Sequence, residues 1–169
     1  MSNGYHLSFS YIQDNDDDVI QKCLTLNRGD KIIDTLNVMG YAAIDKNLGY
    51  VGADFEEYFA FVNSYGSGNP HYLSLRRKKN AKEIKSGYII TSNSNPELLI
   101  YKDRNDEKLK IFDFENNNDI DISDINNDCF LWQLTDALLI KKVTENEVHM
   151  EYADNSDSIK KYKYNRQQR

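Results

Sequence analysis

Aspartate supplies most of the chemistry-bearing side chains in this chain. Asp14, Asp16, Asp17 and Asp18 crowd one short run, and Asp119, Asp121, Asp124 and Asp128 recur through a second. Carboxylates at alternate positions suggest a calcium-binding loop. That loop needs acids at its first, third and fifth positions, Gly at the sixth and Glu at the twelfth. From Asp14 the sixth and twelfth positions are Val19 and Thr25; from Asp119 they are Asp124 and Phe130. Both runs fail where the geometry is strictest. Phosphate cradles fail as well: Gly66 and Gly68 are followed by His71 where a dinucleotide fingerprint has its third glycine, and there is no Walker loop. There is no Gly-x-Ser-x-Gly elbow. A thiol–imidazole pair such as Cys23 with His71 stays open, because catalytic partners meet in space. Cys23 and Cys129 nevertheless sit in apolar patterns that disfavour a thiolate. No cofactor and no metal is expected, and the aspartates are read as a surface for a partner.

Charge supports that reading. The chain carries 21 Lys and Arg against 27 Asp and Glu, a formal net charge of -6. An acidic surface repels phosphate backbones, so direct nucleic-acid binding is not expected. It suits a basic protein, since complementary charge speeds and orients encounter. One basic patch runs against the trend, Arg76-Arg77-Lys78-Lys79 with Lys82 and Lys85. It reads as a solvated loop and as protection of an exposed sheet edge, with an anion or nucleic-acid site as the alternative. The start, Met1-Ser2-Asn3-Gly4-Tyr5, has neither a basic opening nor an apolar run, and no stretch nears the length that spans a bilayer. A cytoplasmic location and no membrane partner are expected.

The elements that must position these residues are read from periodicity. Tyr88–Thr91, Leu98–Tyr101 and Lys108–Phe114 are short Ile-, Leu-, Tyr- and Phe-rich runs separated by Asn, Ser, Asp and Pro, the pattern of an antiparallel meander. Tyr5, Leu7, Phe9 and Tyr11 alternate with polar residues and predict a first strand. Val19, Ile20, Cys23 and Leu24 predict a helix stopped at Arg28-Gly29; Ile32, Ile33 and Leu36 predict a second, ending at Gly40. Tyr41 to Val51 reads as a hairpin turning at Asn47 and Gly49. Phe55, Tyr58, Phe59, Val62 and Tyr65 line one helical face, with Asp54 and Glu57 as a capping box. Tyr72, Leu73 and Leu75 suggest a strand. Phe130 to Leu139 predicts a helix with a wide apolar face, and Glu147 to Tyr164 a terminal hairpin followed by a frayed basic tail. The expected fold is a single α+β domain over residues 1–169. It has one antiparallel sheet of about five to seven strands packed against three or four helices.

The order of elements carries a resemblance. The capped helix ending in Asn63-Ser64-Tyr65-Gly66 is followed by Gly87-Tyr88-Ile89-Ile90-Thr91, by Leu98-Leu99-Ile100-Tyr101-Lys102-Asp103 and by Leu109-Lys110-Ile111-Phe112-Asp113-Phe114; a closing helix carries Phe130 and Leu134. Over residues 54–140 this resembles the SUKH superfamily of bacterial toxin-immunity proteins. The chain departs from that pattern with Asn-Ser-Tyr-Gly in place of Asn-Gly-Gly, and with Asp128-Cys129 where the family favours Ser before Phe130. Residues 1–51 have no counterpart in it. The resemblance implies an immunity protein that is not an enzyme and that neutralises a cognate toxin domain by binding it. For a basic nuclease, an acidic surface would fill the cleft by imitating phosphate charge. Asp119, Asp121, Asp124 and Asp128 are the first choice for that surface, and Asp14, Asp16, Asp17 and Asp18 the second. The alternatives are a small enzyme with a Cys/His centre and a generic protein-interaction module marked by an exposed Tyr-rich patch.

Overall fold

The computed structural model describes residues 1–13, 19–64, 71–125, 131–153 and 158–167. Among them are thirteen strands and two short helices, α1 (Asp45–Leu48) and α2 (Leu131–Ala137). The strands form three antiparallel sheets. The expected α+β fold, with one sheet and three or four helices, is therefore corrected to a nearly all-β fold. The chain divides into two compact units, Met1–Ser86 and Gly87–Arg169.

The first unit begins with β1 (Tyr5–Gln13), β2 (Ile20–Arg28) and β3 (Lys31–Gly40), in that spatial order. β1 lies where alternation predicts it. The two helices expected at Val19–Arg28 and Ile32–Leu36 are strands instead. Arg28 pairs with Lys31 across Gly29-Asp30, and Gly29 has φ +55°. A left-handed glycine that ends a helix also opens a two-residue hairpin, and Gly-Asp between two apolar runs is hairpin chemistry. β-branched Ile32, Ile33, Thr35 and Val38 fit a pleated surface better than a helix.

β4 (Tyr50–Asp54), β5 (Tyr58–Asn63) and β6 (Tyr72–Arg77) follow. The capped helix expected at Asp54–Tyr65, on which the resemblance leaned, is the end of β4, a turn and β5; Tyr65 is outside the described residues. Phe59, Ala60, Phe61 and Val62 are all buried, so both faces of β5 are covered. A continuous apolar run satisfies the helical period as readily as any other, and here tertiary cover decides. Asp54 caps nothing: it accepts from the Ser2 amide at 2.6 Å and pairs with Lys78 at 2.8 Å. The hairpin expected at Tyr41–Val51 is the single turn of α1 leading into β4. β6 is an interior strand, with β5 on one side and the first residues of β7 (Glu83–Ser94) on the other. The core of this unit gathers Tyr5, Leu24, Leu26, Leu48, Phe59 and Phe61.

The second unit holds most of β7, then β8 (Glu97–Asp103), β9 (Leu109–Asp113) and β10 (Asn118–Asp121), the meander that turn chemistry predicts. Ser94 pairs with Glu97, so the turn shrinks to Asn95-Pro96. α2 is the closing helix, shorter than expected, because Leu138 already starts β11 (Leu138–Val143). β12 (Glu147–Ala153) and β13 (Ile159–Asn165) are the terminal hairpin. Leu98, Ile100, Ile111, Leu134, Val148 and Met150 meet in one buried cluster, so the meander, α2 and the last sheet share a core. Arg166, assigned to a frayed tail, is buried beside Asp113.

Gly87 exposes how tightly β7 and β8 approach. A Cβ at this position would lie 2.0 Å from the Lys102 carbonyl oxygen. A backbone atom in a paired strand cannot step aside as a side-chain tip can. Gly87→Ala is expected to cost about 1–3 kcal/mol, measured by urea unfolding; an unchanged midpoint would contradict the register described here.

Candidate functional site

The aspartates of the second run are assembled by β8, β9 and β10. Tyr101 of β8 pairs with Lys110 of β9, and Lys110 with Asp121 of β10, so the three form one cross-strand row. Asp119 shares the face of Asp121 two residues away. Asp103 and Asp106 close the same area from the end of β8 and the following turn. Lys110 binds both, at 2.9 Å and 2.7 Å. Burial alone would lower the Lys110 ammonium, but hydrogen bonds to Asp106 and Asp103 outweigh it and hold it above its ordinary value.

The site expected from sequence is thus brought together in part. Asp121 pairs with Lys108 at 2.7 Å and accepts from the Ser123 amide at 2.9 Å. The Lys108 bond, then the Ser123 donors, lower its carboxyl to about 2. Asp119 accepts from the Tyr101 hydroxyl at 3.0 Å, and Asp124 from the Tyr164 hydroxyl at 2.6 Å. Burial, and then the neighbouring carboxylates, push both phenols well above their usual range, so both remain protonated donors. A phenol fixes a carboxylate in place but brings no positive charge. Lys108 and Lys110 pair with Asp121, Asp103 and Asp106, while the phenols hold Asp119 and Asp124 in place without neutralising them. Asp128, Asp14, Asp16, Asp17 and Asp18 lie outside the described residues.

The basic patch is solvated in part, at exposed Arg77, Lys79 and Lys82. Lys78 is buried and sends its ammonium to Asp54, to the Ser2 hydroxyl at 2.5 Å and to the Phe55 and Glu56 carbonyls. It ties the N-terminus to the β4–β5 turn and is not solvated. Arg76 donates to Ser74 and the Ala81 carbonyl, and lies 3.9 Å from Glu83. Since β6 is an interior strand, edge protection is not its role. Of the thiol–imidazole candidates, Cys23 is buried in β2 opposite Ser10 and Val38, His71 hydrogen-bonds Tyr50 at 2.8 Å, and Cys129 is outside the described residues.

Sequence reasoning named an exposed Tyr-rich patch but gave it no place; a second surface lies in the first unit. β1, α1 and β4 border a groove of about 540 Å³ with Leu7, Phe9, Tyr50 and Val51 in its walls. Phe9 and Tyr11 continue the apolar side of β1 beyond the core, from buried Tyr5 to 48% and 60% exposure. Tyr41 packs against Tyr11 with ring centroids 5.6 Å apart and is itself 61% exposed. The signal was present in the abundance of Tyr, whose wet tip and apolar ring suit a contact surface. Alternation marks a face and does not say how far along it the core extends.

Fold and surfaces together define a nearly all-β chain in two units, with an acidic face in one and an apolar groove in the other. No protein-family model matches the chain, nor does any curated protein or solved structure. Among the described residues no helix is long and apolar enough to cross a membrane.

Proposed function

We propose that this chain is a cytoplasmic binding protein that neutralises a basic partner, as an immunity protein does with a bacterial toxin domain, without performing chemistry on it. The observation that carries the reading is the gathering of Asp103, Asp106, Asp119, Asp121 and Asp124 on neighbouring strands and turns, with Asp119 and Asp124 held by phenols that bring no positive charge. The excess charge is fixed before a partner arrives, so little side-chain entropy is lost on docking. A nuclease cleft, built to hold phosphates, offers the matching surface. Neither nucleic acid nor membrane is a direct partner in this reading.

Reversing the two exposed acids, Asp121→Lys with Asp124→Lys, places lysines beside Lys108. The expected result is at least about a ten-fold loss of affinity for the partner captured by the native chain in its host, mostly through slower association. Capture by the native chain should also weaken as salt is raised. Unchanged affinity in the double variant would remove the acidic face from the account.

A second reading, a general protein-interaction module, draws on the groove and on exposed Phe9, Tyr11 and Tyr41. It predicts the reverse pattern: Phe9→Ser with Tyr11→Ser abolishes capture, while the aspartate variant and added salt leave it intact.

A further inference from the structure

Apart from both surfaces, the first unit holds a cleft of about 320 Å³ lined by Asn3, Tyr5, Arg28, Glu57, Arg77 and Lys79, with Lys78 and Glu56 completing its wall. Its cations come from three places in the chain: Arg28 ends β2, Arg77 ends β6, and Lys79 lies in the turn after it. Two hydrogen bonds hold these parts in position. Gly29 donates to the Gly4 carbonyl at 3.3 Å, and Lys78 donates from its backbone to the Glu57 carbonyl at 2.9 Å. Among the described residues, Arg28, Arg77 and Lys79 have no ion-pair partner, although the chain as a whole is acidic. Each guanidinium instead lies over a phenol ring, Arg28 at 5.3 Å from the Tyr5 centroid and Arg77 at 5.8 Å from Tyr58.

These features have a physical consequence. A guanidinium held against an aromatic face keeps its hydrogen-bonding edge free and loses less freedom when it binds. Two such groups and an ammonium around one cleft make a receptor for a compact anion. Volume and charge narrow the class. The cleft is at the small end of ligand sites, and Glu56 and Glu57 repel a polyanion, so a nucleic-acid backbone does not fit. A small molecule with one anionic group and a hydrogen-bond donor for the glutamates does.

We propose that this cleft binds a small organic anion through a single phosphate or carboxylate group held by Arg28, Arg77 and Lys79. The site is independent of the partner-binding reading above.

Titration of the ¹⁵N-labelled full chain tests it, with inorganic phosphate in one arm and acetate in the other, each against chloride at equal ionic strength. The expected result is saturable shifts confined to Arg28, Arg77, Lys79 and their neighbours in at least one arm. The arm that saturates at lower concentration identifies phosphate or carboxylate as the preferred group. Arg28→Ala with Arg77→Ala should weaken that binding at least about ten-fold, since each removes a charge-assisted hydrogen bond. Both side chains are exposed, so the fold is kept. Glu57→Gln should tighten binding about two- to five-fold by removing a repelling charge, a gain that general damage to the cleft would not produce. Shifts that chloride reproduces, or that survive the double arginine variant, would overturn the proposal.

Discussion

Arg166→Ala is expected to destabilise the protein by about 3–5 kcal/mol, the usual cost of leaving one charge of a buried pair alone. Arg166 and Asp113 are both almost wholly out of solvent. The guanidinium meets the carboxylate with two bonds, Nε to Oδ2 at 2.7 Å and Nη2 to Oδ1 at 3.0 Å; Nη2 also reaches Glu115 at 2.9 Å, and Nη1 reaches the Thr144 carbonyl at 2.9 Å. Asp113 in turn receives Asn116 at 2.9 Å and the Glu115 amide at 3.1 Å, which shapes the β9–β10 turn. One side chain thus joins the end of β13 to the turns before β10 and β12. Arg166→Lys keeps the charge without the fork and should fall between the two. Urea unfolding measures all three, and an alanine variant within about 1 kcal/mol of the native chain would show that water or a neighbour replaces the guanidinium.

The same pair fixes a pH dependence. Burial would raise the Asp113 carboxyl, but bonds from Arg166 and Asn116 outweigh it and hold it below its ordinary value. A carboxyl lowered on folding contributes stability that is complete above the unfolded value, near 3.8, and is lost as pH falls through the lower folded one. The native chain should therefore lose stability on acidification below about pH 4. In Arg166→Ala the buried carboxylate is relieved by protonation, so this contribution should shrink or change sign.

Lys78→Met is the second large effect, about 2–4 kcal/mol. Methionine keeps the apolar stem but removes the ammonium that serves Asp54, Ser2 and two carbonyls. Asp54 keeps 30% of its side-chain surface exposed, so water recovers part of the loss, and the cost stays below that for Arg166. Burial would raise the Asp54 carboxyl too, but Lys78 and the Ser2 amide hold it low; without Lys78 it should move up. Hydrogen exchange at Ser2, Asn3 and Phe55 to Glu57 should rise well above that of the rest of the unit. If exchange there is unaltered, Lys78 is not the tie between the N-terminus and the β4–β5 turn.

Turn chemistry and alternation were legible: β1, the β7–β8–β9 meander and the β12–β13 hairpin follow from residues next to one another in the chain. So did the clustering of Asp119, Asp121 and Asp124, because β10 and its turn are a local segment. The segments Ile20–Arg28, Lys31–Gly40 and Tyr58–Asn63 were misread for one reason. Each has apolar residues that satisfy a helical stripe, and each is a strand because neighbouring strands complete its hydrogen bonds, on both sides for Ile20–Arg28 and Tyr58–Asn63 and on one side for Lys31–Gly40. Those neighbours are the strands next along the chain, and a helical stripe read within one segment does not register them; the two-residue turn at Gly29-Asp30 also resembles a helix stop.

Local residue order by itself determined where the chain turns, which runs are apolar and that acid exceeds base. Tertiary structure alone decided that Lys78 and Arg166 are buried, that phenols and lysines pin the aspartates, and that Phe9 and Tyr11 run out beyond the core. Burial and pairing are properties of what packs against a residue, and that ranges from the next turn, as with Lys110 and Asp106, to chain more than fifty positions away, as with Asp113 and Arg166.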